Sequence, residues 1–82
     1  MDEMVAKKWQ DITMRLIVSI GKQLKMEQND QILMALYLNT PNKVKKFSDW
    51  ARTKTVDNKL ESTPEEVMHI VTLIEKGIEP LD

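Results

Sequence analysis

The single histidine, His69, stands three residues after Glu66, and this pair has the Glu-x-x-His spacing with which helical bundles hold metal ions. Such a site also needs an inward glutamate from another helix. Glu66 has a competing structural use at the start of a helix, and His69 lies off the apolar stripe of that helix. The sequence therefore predicts no metal site and no cofactor.

Residues for catalysis are scarce in this chain. A phosphate-binding loop needs closely spaced glycines, and the only two glycines, Gly21 and Gly77, are 56 positions apart. Nucleophilic catalysis needs a base beside the nucleophile, and His69 has no sequence neighbour that completes a triad. We therefore predict that the protein is not an enzyme and has no small-molecule substrate.

Charge is distributed unevenly along the chain. Residues 43–59 include six basic and two acidic side chains, residues 61–82 include six acidic and one basic, and residues 1–42 carry five of each sign. Such separation determines what a surface attracts rather than how the chain folds. The basic segment is therefore the strongest functional signal in the sequence.

One use of the basic segment is to bind another protein. The residues that we predict to form the partner-binding surface are Lys43, Lys45, Lys46, Trp50 and Arg52. Trp50 lies between the apolar stripe and the basic face of its helix, where a tryptophan either anchors an interface or packs into the core. The partner is predicted to be another protein or a second copy of the chain, in a homodimer whose basic segments meet the acidic last helices.

The alternative use is DNA binding. Two helices that meet at residues 39–41 have the outline of a helix-turn-helix unit, with the basic segment 42–54 as its second helix. The residues that would contact phosphates are Asn42, Lys43, Lys45 and Lys46. The turn lacks the usual glycine, Asp49 shares the outward face, and the isoelectric point is about 5.8, below the range typical of DNA binders. Protein binding is therefore the main prediction.

The helices that position these residues follow from apolar spacing. We predict four of them, at about residues 2–26, 30–38, 41–53 and 64–76. In the first helix, apolar residues recur every three or four positions and mark one face, formed by Val5, Trp9, Ile12, Leu16, Ile20 and Leu24. No glycine or proline separates the first two helices, so one continuous helix over residues 2–38 is the competing prediction.

The second helix has weaker signals. Asn29 or Asp30 is predicted to cap it. Its predicted inward positions are Ile32, Leu33, Leu36 and Tyr37. Three methionines next to core positions are predicted to fill gaps in the core, namely Met14, Met34 and Met68.

The third and fourth helices each begin with a threonine cap followed by proline, at Thr40 and Thr63. Glu66 completes a capping box with Thr63, and Gly77 is predicted to end the fourth helix in the left-handed conformation. The predicted inward positions of the two helices are Val44, Phe47, Ala51, Val67, Ile70, Val71 and Ile74. Residues 54–62 between them are predicted to form a polar connector with a turn at Asp57-Asn58 and an anchor at Leu60.

These elements predict an all-α protein with one domain over residues 1–82, a small bundle of three or four helices with a long N-terminal helix. The chain has no cysteine for disulfides, its acidic start does not resemble a signal peptide, and no uncharged apolar stretch approaches the roughly 20 residues of a membrane-spanning helix. We therefore expect a cytoplasmic protein that does not associate with membranes. Its expected role is protein–protein interaction, as an adaptor, inhibitor or assembly factor.

Overall fold

Four α-helices make up most of the chain, and the all-α prediction is confirmed. The computed structural model describes the backbone of residues 3–80 and the side chains of Lys8 and residues 10–80, so the predictions for Asp2, Val5 and Trp9 lie outside the described residues. The elements are α1 (Glu3–Leu24), α2 (Gln28–Tyr37), α3 (Pro41–Thr53), β1 (Thr55–Val56), β2 (Lys59–Leu60) and α4 (Pro64–Glu75). Each helix in the described chain is too short or too polar to cross a membrane.

The α1 and α2 helices are separate, so the continuous-helix alternative is wrong. Lys25 has a φ of 55°, in the left-handed region. The Met26 amide donates a hydrogen bond to the Gly21 carbonyl at 3.0 Å. This is a Schellman ending in which a lysine occupies the position that glycine usually holds, and Met26 is buried behind it. The break therefore lies close to the predicted gap between the first two helices, although no glycine marks it.

The α2 helix begins two residues earlier than predicted. Its N-cap is Glu27, and the side chain of Glu27 makes no capping hydrogen bond to the amides described in the first turn. Asn29 and Asp30 lie inside that turn, so the prediction that one of them caps the helix is wrong. Packing of α2 against α1 and α4, rather than a local cap, holds this helix in place.

The face of α2 that packs inward also differs from the prediction. Met34 and Leu38 are buried and Tyr37 is half-buried, whereas the other three predicted inward positions are exposed, namely Ile32, Leu33 and Leu36. Residues 32–38 are all apolar or aromatic, so their spacing does not select one face. Packing against α1 and α4 selects the face, because Met34 and Leu38 enter the core there. Gly21 leaves room for the Gln31 side chain, since a β-carbon at Gly21 would lie only 2.6 Å from Nε2 of Gln31.

The core lies between the inward faces of the helices and the anchor in β2. The buried apolar side chains are Ile17, Ile20, Met26, Met34, Leu38, Val44, Phe47, Trp50, Leu60, Val67, Ile70, Val71 and Ile74. In α1 the buried face is centred on Thr13, Ile17 and Ile20, so Ile12, which was predicted to face inward, is exposed. Met14 is exposed for the same reason, whereas Met68 packs against the core as predicted.

Local capping defines α3 and α4 as predicted. Thr40 Oγ1 accepts a hydrogen bond from the Lys43 amide at 3.3 Å, and Thr63 Oγ1 accepts one from the Glu66 amide at 3.1 Å. At the end of α4, Gly77 has a φ of 82°. Its amide donates to the Ile74 carbonyl at 3.0 Å and the next amide donates to the Leu73 carbonyl at 2.9 Å, which is a complete Schellman motif.

The polar connector forms a small antiparallel hairpin, a feature that the sequence analysis missed. Asp57 and Asn58 have φ values of 52° and 65°, which is typical of the type I′ turn between two paired strands. The turn is where it was predicted, and Leu60 is buried as the predicted anchor. The Leu60 amide donates to Oε1 of Gln23 at 2.9 Å, which ties the hairpin to α1.

Candidate interaction surfaces

The lysines near the start of α3 each contact another part of the same chain. Lys43 Nζ donates to Oδ1 of Asn39 at 3.3 Å. Lys45 Nζ lies 2.9 Å from Oδ2 of Asp49. Lys46 Nζ lies 3.6 Å from Oε2 of Glu79, which joins the basic segment to the acidic C-terminal segment within one molecule.

The Lys45–Asp49 pair alters the titration of the carboxylate. The hydrogen bond from Lys45 lowers the pKa of Asp49 below its ordinary value, and the positive charges of Lys45 and Arg52 act in the same direction against a slight desolvation. The side chain of Lys45 is 71% exposed. Because exposed ion pairs contribute little to stability, Lys45 can exchange Asp49 for a partner's acidic group at little cost.

Trp50 lies in the core and not on the surface. It is only 3% exposed, and its ring lies 5.8 Å from that of Phe47 at an angle of 40°. Of the two uses that its sequence position left open, the structure therefore favours core packing, and Trp50 is no longer a candidate contact residue. Arg52 is exposed, as is Asn42 at the start of the helix.

Glu66 and His69 occupy different surroundings. The Glu66 carboxylate accepts a hydrogen bond from Oγ of Ser62 at 2.5 Å and not from the Thr63 amide, so only the threonine half of the predicted capping box is formed. His69 is exposed on the outer side of α4. Among the described residues, no group of three or more histidine and carboxylate side chains is placed to hold a metal ion.

A surface that the sequence analysis missed lies on α2. Ile32, Leu33 and Leu36, which we call the apolar α2 face, are 50%, 37% and 61% exposed. Their spacing places them on adjacent turns of one side of the helix, while other sides of α2 pack against α1 and α4. Large apolar side chains scattered singly are ordinary at a surface, but a contiguous group marks a candidate interaction site.

The surroundings of the apolar α2 face are polar but almost uncharged. Asp30 is the only charged residue of α2, and it is half-buried. The exposed residues that directly precede the face are Gln28 and Asn29, with the exposed Glu27 before them, and those that follow it are Asn39 and Thr40. An apolar centre with a rim of hydrogen-bonding groups is the usual composition of a protein–protein interface.

A second, more basic surface lies on α1. Met14 and Val18 are 49% and 38% exposed. They line a shallow depression together with Arg15, Ser19 and Lys22. This surface mixes apolar and cationic side chains, in contrast to the uncharged surroundings of the apolar α2 face.

The sequence contains a signal for the apolar α2 face. All seven residues from Ile32 to Leu38 are apolar or aromatic. A helix that packs on one side buries only three or four positions in every two turns, so some of these seven had to remain outside. The excess predicts an exposed apolar patch, although spacing alone does not say which residues form it.

Comparisons of the chain with protein-family models, with curated protein sequences and with solved structures found no match.

Proposed function

We propose that the protein is a non-catalytic binding protein that acts through protein–protein interaction, as an adaptor, inhibitor or assembly factor in the cytoplasm. The single observation that supports this proposal is the apolar α2 face, where Ile32, Leu33 and Leu36 expose 37–61% of their surfaces side by side. The exposed parts of these side chains do not pack in the core of their own molecule. A partner that covered them would remove that apolar surface from water.

The size of this surface indicates a weak contact rather than a permanent one. Complete burial of an exposed leucine or isoleucine is worth about 1.5–3 kcal/mol, so covering three half-exposed side chains yields roughly 3 kcal/mol. Association costs at least about 4 kcal/mol in lost freedom of motion. Hydrogen bonds from the polar rim, including those of Gln28 and Asn29, must therefore contribute to any stable complex.

The basic segment has a secondary role in this proposal. Lys43, Lys45 and Lys46 have partners within the chain, and Trp50 is buried, so the predicted basic surface lacks an apolar anchor. Exposed charges such as that of Lys45 accelerate the approach of an oppositely charged partner more than they hold it. We therefore assign the affinity to α2 and the attraction of acidic partners to α3.

Affinity capture from a lysate of the native host tests the proposal with three forms of the full-length protein. The first is the wild type, the second is Leu36→Lys in the apolar α2 face, and the third is Val18→Lys as a matched control on α1. We expect a species captured by the wild type and by Val18→Lys, and reduced at least tenfold with Leu36→Lys. Capture that is equal for all three forms would contradict the role of α2, as would capture of nothing by any of them.

A further inference from the structure

The apolar α2 face points to a specific occupant. We infer that it binds the same face of a second copy of this chain, so that two molecules pair through antiparallel α2 helices. This inference rests on the proposed function, because it names the partner for the surface assigned there.

Charge distinguishes the α2 surface from the other outward surfaces. In a two-fold dimer each surface meets itself, so charges near the axis meet charges of the same sign. The outer surface of α1 presents Arg15 and Lys22, and α4 presents Glu65 and Glu75. The exposed residues directly beside the apolar α2 face, Gln28, Asn29, Asn39 and Thr40, are uncharged. The half-buried Asp30 and the exposed Glu27 lie towards the N-terminal end of α2, so antiparallel pairing keeps the acidic groups of the two copies away from the two-fold axis.

The ends of α2 favour the antiparallel arrangement. A helix has a partial positive charge at its N-terminus and a partial negative charge at its C-terminus, and α2 has no basic residue in its last turn to offset the latter. Antiparallel pairing places each end beside the opposite end of the other copy. It also places Gln28 and Asn29 of one molecule near Asn39 and Thr40 of the other, where amide and hydroxyl groups can donate and accept hydrogen bonds.

The size of the surface sets the strength of the dimer. A standard interface covers about 800 Å² on each partner, and a pair of ten-residue helices about 15 Å long covers less than that. The dimer is therefore expected to be weak, so its detection needs protein concentrations that rise from about 10 µM to about 1 mM.

Sedimentation velocity on the purified full-length protein tests the inference across that concentration range, at low and at high salt. We expect the weight-average mass to rise from 9.6 kDa towards twice that value, with no loss at high salt because apolar contacts are not screened. Leu36→Lys should weaken the dimer at least tenfold. Val18→Lys should leave it unchanged. A mixture of Leu36→Lys with Leu36→Glu should associate more than either variant alone.

Circular dichroism of each variant first establishes that the helices are intact, which we expect because Leu36 is 61% exposed. Three results would overturn the inference. A monomer at every concentration is one, and equal weakening by Leu36→Lys and Val18→Lys is another. The third is a dimer that salt dissociates and Leu36→Lys does not, because that result identifies pairing of basic and acidic segments between copies. A monomer whose lysate capture is still lost with Leu36→Lys overturns self-association alone and leaves the proposed function standing.

Discussion

Lys25 ends α1 in a left-handed backbone conformation that is unfavourable for a residue with a β-carbon, by about 1–2 kcal/mol. The cost is tolerated because the Met26 amide caps the Gly21 carbonyl and the Met26 side chain enters the core. The turn favours glycine at this position, and the chain has a lysine there. The position is therefore a place where stability can be gained.

We predict that Lys25→Gly raises the free energy of unfolding by about 0.5–1 kcal/mol, because glycine adopts this conformation freely but loses more freedom on folding. Urea denaturation followed by circular dichroism measures the change. Lys25→Ala is the matched control, since it removes the same side chain but keeps the β-carbon, and it should bring no such gain. Equal stabilisation by both substitutions would show that the lysine side chain, and not the backbone, is responsible.

The second prediction at the level of single residues concerns Asp49. Its pKa in the folded protein lies below the ordinary value of 3.8, chiefly because Lys45 donates a hydrogen bond to it. The pair therefore stabilises the fold above pH 3.8, and this contribution is lost as the pH falls through the lowered pKa. NMR titration of the carboxyl carbon should show that Lys45→Ala raises the pKa of Asp49, while Lys54→Ala leaves it nearly unchanged. An unchanged pKa in Lys45→Ala would show that the hydrogen bond is not maintained in solution.

Among the helices, α3 and α4 were predictable because their starts depend on neighbouring residues alone. The Thr-Pro pair at residues 40–41 and the capping sequence at residues 63–66 need no contact from elsewhere in the chain. The end of α4 at Gly77 is encoded in the same local way. Where the residues that begin or end a helix are close neighbours in the chain, the sequence alone predicts the helix boundary.

The α2 helix shows where sequence was not sufficient. Its start has no side-chain cap, and its apolar residues run around the helix instead of along one side. The packing of α2 against α1 and α4 selects the inward face, and this packing joins residues of different helices. Apolar spacing within one helix contains no information about it. For this reason the apolar α2 face, on which both proposals depend, emerged only from the structure.

The cap of α4 provides a prediction at the level of the helix. Thr63→Ala removes the acceptor for the Glu66 amide and should lower the free energy of unfolding by about 1 kcal/mol. Thr63→Ser retains a hydroxyl at the same position and should cost much less. Urea denaturation of both variants measures the difference. If the two variants lost equal stability, the methyl group of the threonine rather than its hydrogen bond would be important.

Across the whole molecule, the separation of charge seen in the sequence is partly neutralised by the fold. Lys46 pairs with Glu79 across the space between α3 and the C-terminal segment, and Lys45 pairs with Asp49. These pairings reduce the positive potential that α3 could present to a nucleic acid. Sequence revealed the charges, but only the fold shows which of them neutralise one another.

A gel-shift assay tests the DNA-binding alternative. We expect no retardation of random duplex DNA at low salt, because Asp49 and Glu79 lie beside Lys45 and Lys46 and repel phosphates from that surface. Glu79→Gln frees Lys46 and serves as a sensitised form. Retardation of the wild type that is lost in Lys43→Glu would contradict this expectation and favour the alternative.

The hydrogen bond from the Leu60 amide to Gln23 spans 37 residues, so the protection of this amide proton from solvent depends on a contact between β2 and α1. Thr55 and Leu60 face each other in the hairpin. Because the turn has two residues, this is a non-hydrogen-bonded pair of the antiparallel ladder, so the Leu60 amide does not bond to the opposite strand. The solvent exchange of this proton therefore reports on the docking of α1 against the hairpin, separately from the unfolding of either element. The amide of Leu60 is thus a built-in probe of whether the N-terminal helix detaches while the rest of the protein remains folded.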